Sequence, residues 1–247
     1  MILVRAGKMF VTLQLGLAAF LPLQAGTPQK VPLNTLQLNG TAILESSGHL
    51  RLTTNLDAAG SAFIPAPYAF GPSGNFIAYF VYQAEPSSTP TPADGLAFII
   101  QNTGAAGAYL GLQGSGLGFF TQTIAPAIGV TFDYYGNAIT GSPAGTLAIA
   151  SPVGTDLAQT IPSLPVFGGS GSAGTRYVWI VYSNATNLMK VYYSNIGTIP
   201  ATPTLEMTLP QDLSSLCGGQ IYLGLSGGTG AFDSTQIIDH LAVSVTE

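Results

Sequence analysis

Apolar runs of five to nine residues recur along this chain, with Gly, Pro, Asn and Ser clustered between them. They occupy 49–53, 75–83, 95–101, 127–135, 146–150, 176–183, 188–194, 221–225 and 237–245. The runs are rich in Val, Ile, Phe and Tyr, which suit a pleated, half-buried surface and predict strands. Several alternate. In Arg176-Tyr177-Val178-Trp179-Ile180-Val181-Tyr182, successive side chains point to opposite faces of a sheet. Asn184-Ala185-Thr186-Asn187 then reads as a hairpin connection to the next run. No 3.6-residue apolar period persists long enough for a helix, and 211–217 predicts one short turn. The stretches 85–92 and 151–174, each with three prolines, predict loops. Many short strands between turns predict an all-β sandwich or barrel. Neither loop stretch leaves halves with enough strands each, so one domain is expected over 26–247.

Composition adds how such a fold is stabilised. Hydrophobic residues make up 47% of the chain and charged residues 7%, against a usual charged share of roughly 25%. Ion pairs are too few to contribute much. Burial of apolar area does the stabilising, at roughly 25 cal/mol per Å². Residues 1–25 have the make-up of a signal peptide. Arg5 and Lys8 precede the apolar stretch 9–21, and Leu23-Gln24-Ala25 offers a small-residue cleavage site. The stretch is shorter than the roughly 20 residues a bilayer span needs. Export is therefore expected, to a secreted, extracellular or periplasmic location, with no membrane span after cleavage.

Cleavage leaves Lys30, Arg51, Arg176 and Lys190 as the cations beside eleven carboxylates. An acidic chain without a basic patch is unsuited to nucleic acid or to anionic membrane surfaces. The single cysteine, Cys217, excludes an internal disulfide and is expected to be a buried small residue.

Some motifs lack their context. Gly169-Ser170-Gly171-Ser172-Ala173-Gly174 fits G-x-G-x-x-G, but it lies in a loop and leads into a strand. Gly224-Leu225-Ser226-Gly227-Gly228 fits G-x-S-x-G, with Asp239 and His240 downstream. No helix follows Ser226, and adjacent strand residues such as Asp239 and His240 face opposite ways. His49 reads as a strand-end polar residue. Asn39-Gly40-Thr41 and Asn184-Ala185-Thr186 are glycosylation sequons where the source has the machinery.

Three ordered segments place polar groups beside glycines and aromatics at strand ends. They are Pro92-Ala93-Asp94-Gly95-Leu96-Ala97-Phe98, Val130-Thr131-Phe132-Asp133-Tyr134-Tyr135-Gly136-Asn137, and Leu225-Ser226-Gly227-Gly228-Thr229-Gly230-Ala231-Phe232. Together with Gly104-Ala105-Ala106-Gly107-Ala108-Tyr109-Leu110-Gly111-Leu112, they resemble the sugar-site loops of the legume-type (L-type) lectins, in a secreted, bacterial-like form. The early strands and the closing Ile237-Ile238-Asp239-His240-Leu241 fit the same order, from about Thr35 to Val245.

The resemblance implies a concanavalin A-like jelly-roll sandwich of two antiparallel sheets, and a carbohydrate partner. It also implies a cis Ala93–Asp94 bond, with the Asp94 carboxylate accepting two sugar hydroxyls as a directional double acceptor. It implies an Ala108 backbone N–H to the sugar and a Tyr135 ring on the sugar face. Asn137 would meet both sugar and calcium, Ala231 would give a backbone contact, and Phe232 would pack on the sugar or plug the sandwich. Asp133, the Tyr135 carbonyl and Asn137 would form a partial calcium site, weak at most because calcium wants six to eight oxygens. Thr131 replaces the family's metal-binding glutamate and no histidine follows, so the transition-metal site is expected to be lost. The β-glucanases that share such a sandwich carry E-x-D-x-x-E on this strand. Both glutamates are missing here, so no catalytic pair is expected. The alternative reading is a non-catalytic structural or adhesive surface module that has lost sugar binding.

Overall fold

The structure, a computed structural model, describes residues 26–88, 91–121, 123, 125–169 and 174–247. The expected signal peptide and most of the Gly169–Gly174 motif lie outside the described residues. Sixteen strands follow in order. They are β1 (Gln29–Lys30), β2 (Gln37–Gly40), β3 (Ile43–Leu44), β4 (Leu50–Thr53), β5 (Ala59–Phe63), β6 (Tyr68–Ala69), β7 (Asn75–Glu85), β8 (Gly95–Gln101), β9 (Ala127–Asp133), β10 (Leu147–Ser151), β11 (Thr155–Thr160), β12 (Arg176–Ser183), β13 (Leu188–Ser194), β14 (Leu205–Thr208), β15 (Gln220–Gly228) and β16 (Thr235–Thr246). Among the described residues the one α-helical turn, α1 (Leu213–Leu216), is capped by Asp212, whose side chain accepts from Ser215 N.

The strands form two antiparallel sheets. The back sheet runs β14-β13-β12-β7-β16-β4-β3, with β1 on β16. The front sheet runs β11-β10-β9-β8-β15-β5-β2, with β6 on β15. This is the jelly-roll sandwich expected of the sequence. One expectation needs correcting: 151–174 is not all loop. β11 lies inside it and pairs with β10 across a register shift at Ile149/Ala150.

Alternation builds the main core between the sheets. Phe76, Phe80, Tyr82, Val178, Ile180 and Tyr182 face Leu96, Phe98, Ile100, Val130, Phe132 and Leu225, all fully buried. Phe80 lies parallel to Phe98 across the gap at 5.9 Å and edge-on to Phe132 at 5.9 Å. Cys217 is buried as expected.

A smaller core lies on the outer face of the front sheet. There Phe63, Ala97 and Ile99 meet Tyr109, Leu117, Phe119 and Phe120 from the segment that folds over the sheet. Gly129 in β9 makes this possible, because a Cβ there would come within 2.6 Å of the Phe119 ring. The covering segment is a small hairpin of its own. Gly111 N donates to Gly118 O (2.7 Å), Leu112 N to Phe120 O (2.9 Å) and Gly118 N to Leu112 O (2.9 Å).

Candidate functional site

Strand register creates the site. Gly95, the first residue of β8, pairs with Asp133 at the end of β9 and with Gly228 at the end of β15. The segments that continue these three ends therefore meet around Asp94. Its backbone is fixed on both sides: Asp94 N donates to Gly228 O (2.9 Å) and Tyr134 N donates to Asp94 O (2.8 Å). The Ala93–Asp94 bond is cis, as the resemblance implies, and Ser234 Oγ donates to Ala93 O (2.7 Å).

Asp94 is 7% exposed, and its Oδ2 has no hydrogen-bond partner. Gly114 and Gly230 flank that oxygen; a Cβ on either would stand 3.9 or 3.2 Å from it. Burial pushes the Asp94 carboxyl up to about 6, against the lowering contact of the Gly230 amide. Asp133 is similar. Its Oδ1 accepts from Gly136 N (2.7 Å), its Oδ2 has no partner, and burial lifts it to about 7. Each carboxyl favours the neutral form until something supplies a hydrogen-bond donor or a positive charge.

Beside them, Tyr135 is exposed and its ring lies 4.9 Å from that of Phe232, at 34°. Ala231 is exposed on the same turn. Asp94, Tyr135, Asn137, Ala231 and Phe232 thus come together on adjoining loops. Ala108 does not join them. It closes a 3-10 turn (Ala106–Ala108) whose Ala106 carbonyl accepts from Gln101, at the far end of β8, and the Ala108 N–H is used on Ala105 O (2.9 Å). Gly114 and Ser115 take its place: Gly114 N donates to Thr229 O (2.9 Å), beside Asp94. Within 104–120 the dipeptide Leu-Gly occurs at Leu110-Gly111 and again at Leu117-Gly118. The second copy, followed by Phe119-Phe120, is the one whose preceding glycines reach the site, and that repeat was the available signal.

Asn137 is in place but its carboxamide is engaged. Oδ1 accepts from Ile139 N (2.8 Å) and Thr140 N (3.1 Å), and Nδ2 donates to Ser115 O (2.8 Å). Thr140 Oγ1 and Ser142 Oγ share a hydrogen bond of 2.5 Å, and Ser142 donates on to Asp156. Among the described residues no three or more His, Cys, Asp and Glu side chains group closely enough to hold a metal ion. Asp133 offers one unpartnered oxygen, but the Asn137 oxygen caps a turn and Asp156 is held by Ser142. This donor set does not fit a full calcium cage.

The hydrolase pattern is a structural device. Ser226 is fully buried and donates to Leu117 O (2.8 Å), while Asp239 and His240 stand on the other sheet. Asp239 sits at a register shift in β16, accepts from Gln83 (2.7 Å) and meets His49 at 3.5 Å. Both sequon amides are engaged as well. Asn39 donates to Gly107 O (2.8 Å), and the buried Asn184 donates to Pro72 O (3.1 Å).

The two-sheet jelly roll with a polar site at the loops of its front sheet defines a concanavalin A-like sandwich. Comparison narrows the class. The family model described as "Legume lectin domain" matches residues 29–242, and the chain belongs to that family. Over 161 residues it is 29% identical to a probable L-type lectin-domain containing receptor kinase S.7 from Arabidopsis thaliana, covering 61% of this chain and 23% of that protein. The chain thus spans about a quarter of that relative's length. Among solved structures it is similar to a lectin from Bauhinia forficata in complex with GalNAc, with TM-score 0.72 and 20% identity, over 90% of this chain and 98% of that one. It is also similar to peanut lectin with a nine-residue peptide, with TM-score 0.73 and 18% identity, over 89% and 97%.

Proposed function

We propose that this chain is an exported, non-catalytic lectin that takes a mono- or oligosaccharide at the front-sheet loops. Residues 1–25 direct it out of the cytoplasm, to an extracellular or periplasmic location. The observation that carries the reading is the unpartnered Asp94 carboxylate oxygen beside the exposed Tyr135–Phe232 ring pair. A carboxylate that accepts from adjacent hydroxyls, next to an aromatic surface for the apolar face of a ring, is what a pyranose requires. Ala231, Gly114 and Ser115 wall the site. Asn137 acts mainly by tying 137–140 to Ser115. Those hydrogen bonds hold 137–140 without help from a cation, so binding survives chelation at least in part, with calcium weakly bound at most.

The test is a glycan-binding screen of the chain with calcium and with chelator. Binding is expected in both, and Asp94→Ala is expected to abolish it with little change in thermal midpoint. Complete loss of binding on chelation would reject that survival. A second reading is an adhesive module without sugar binding. The internal use of the Asn137 carboxamide favours it, and a screen with no binding would establish it over the first.

A further inference from the structure

The cations are confined to one of the two sheets. Lys30, Arg51, Arg176 and Lys190, the four cations of residues 26–247, all stand in back-sheet strands. Arg51 meets Glu45 at 3.2 Å, Lys190 meets Glu206 at 3.9 Å, and Arg176 donates to the carbonyls of Pro165 and Phe167 at 3.0 Å each. The front-sheet site has carboxylates instead. Asp94 and Asp133 each keep a buried oxygen without a partner.

A third acid stands at the rim. Asp57 is exposed, and its N–H donates to Gly230 O (3.0 Å). Gly230 is the residue packed on Asp94 Oδ2. Asp57 adopts a left-handed backbone (φ 49°), and the loop around it is pinned by Thr229, which bonds Ala58 N (3.1 Å) and the Asn55 carbonyl. Its charge is close enough to act on the Asp94 carboxyl. The Tyr135–Phe232 pair adds ring faces of the kind that attract a cation.

We infer that this site selects sugars carrying a free, protonated amino group over their N-acetylated and neutral counterparts, with Asp57 as the specificity-determining carboxylate beside Asp94. The inference rests on the lectin reading and deepens it. An ammonium group answers the carboxylates that lack donors and meets no competing cation on this face. N-acetylation removes the charge. A uronic or sialic acid brings a like charge to the carboxylates and is rejected.

The experiment is calorimetric titration of the full chain with three methyl glycosides each from the glucose and galactose series: the free amine, the N-acetyl form and the parent sugar. Each is run at low and at high salt. The amine is expected to bind about 3- to 10-fold tighter than its N-acetyl partner at low salt, as for a part-exposed ion pair. The gap should shrink at high salt as screening sets in. Asp57→Asn, a residue type that tolerates a left-handed backbone, should remove the gap. Glu206→Gln on the back sheet should keep it. Equal or tighter N-acetyl binding, or a gap unchanged in Asp57→Asn, would overturn the inference while neutral-sugar binding left the lectin reading intact. No binding of any of the six glycosides, together with an empty glycan screen, would remove both.

Discussion

Asp94 and Asp133 set how the molecule responds to pH. Burial lifts them to about 6 and about 7 from an ordinary 3.8. Across that window the folded chain still holds protons that the unfolded chain has released. Their contribution to stability is therefore fully present below about pH 4 and is lost as pH rises through 6 and 7. The thermal midpoint is expected to fall by several degrees between pH 5 and pH 7.5, and less in Asp94→Asn; equal slopes in the two proteins would refute this. Sugar affinity should move the other way, rising as Asp94 ionises. At this scale most of the site was legible in the sequence. Asp94, Asp133, Tyr135, Asn137, Ala231 and Phe232 follow or end apolar runs, and strand register alone gathers them. Ala108 was misplaced because two Leu-Gly segments lie seven residues apart. Which of them reaches the site is decided by the packing of Phe119 against Gly129 within the outer-face cluster, a contact that no local pattern encodes. The occupied carboxamide of Asn137 was equally hidden, since spacing gives a residue's place and not its partners.

Among elements, β15 links core and site. It lies between β8 and β5, and its Ser226 holds the covering hairpin through Leu117 O at 2.8 Å. Ser226→Ala leaves that carbonyl buried without its donor, at a cost of about 1–3 kcal/mol. Urea unfolding should show a lower midpoint with an unchanged slope, and sugar affinity should drop with it as Gly114 and Ser115 shift. An unchanged midpoint would mean that the hairpin does not depend on this bond. The long central strands were legible because alternation marks both of their faces. β8, β12 and β13 begin and end where the pattern places them. β11 was not. It is an edge strand with a single partner and only partly buried side chains, and Pro152 and Pro162 flank it. An edge strand needs little apolar sequence, so it reads like a loop.

In the whole molecule the two sheets are joined by rings. Phe80 touches Phe98 and Phe132 across the gap, so Phe80→Ala should cost about 3–5 kcal/mol, seen as a lowered denaturation midpoint. A loss below 1 kcal/mol would show that the core collapses around the vacancy. The jelly roll was legible from run spacing together with the ordered lectin-like segments. The segment folded over the front sheet was not, because its glycine-interrupted sequence carries no apolar run to mark it. The lone thiol turns this architecture into a clock. Cys217 is 2% exposed, sits near Pro126 O at 3.8 Å, and is pushed up to about 12 by burial. Only the thiolate attacks a disulfide reagent. Ellman's reagent should therefore leave the native protein unmodified over the time in which the denatured chain reacts fully. Its slow uptake would count openings of the sandwich one molecule at a time, without a probe ever being introduced.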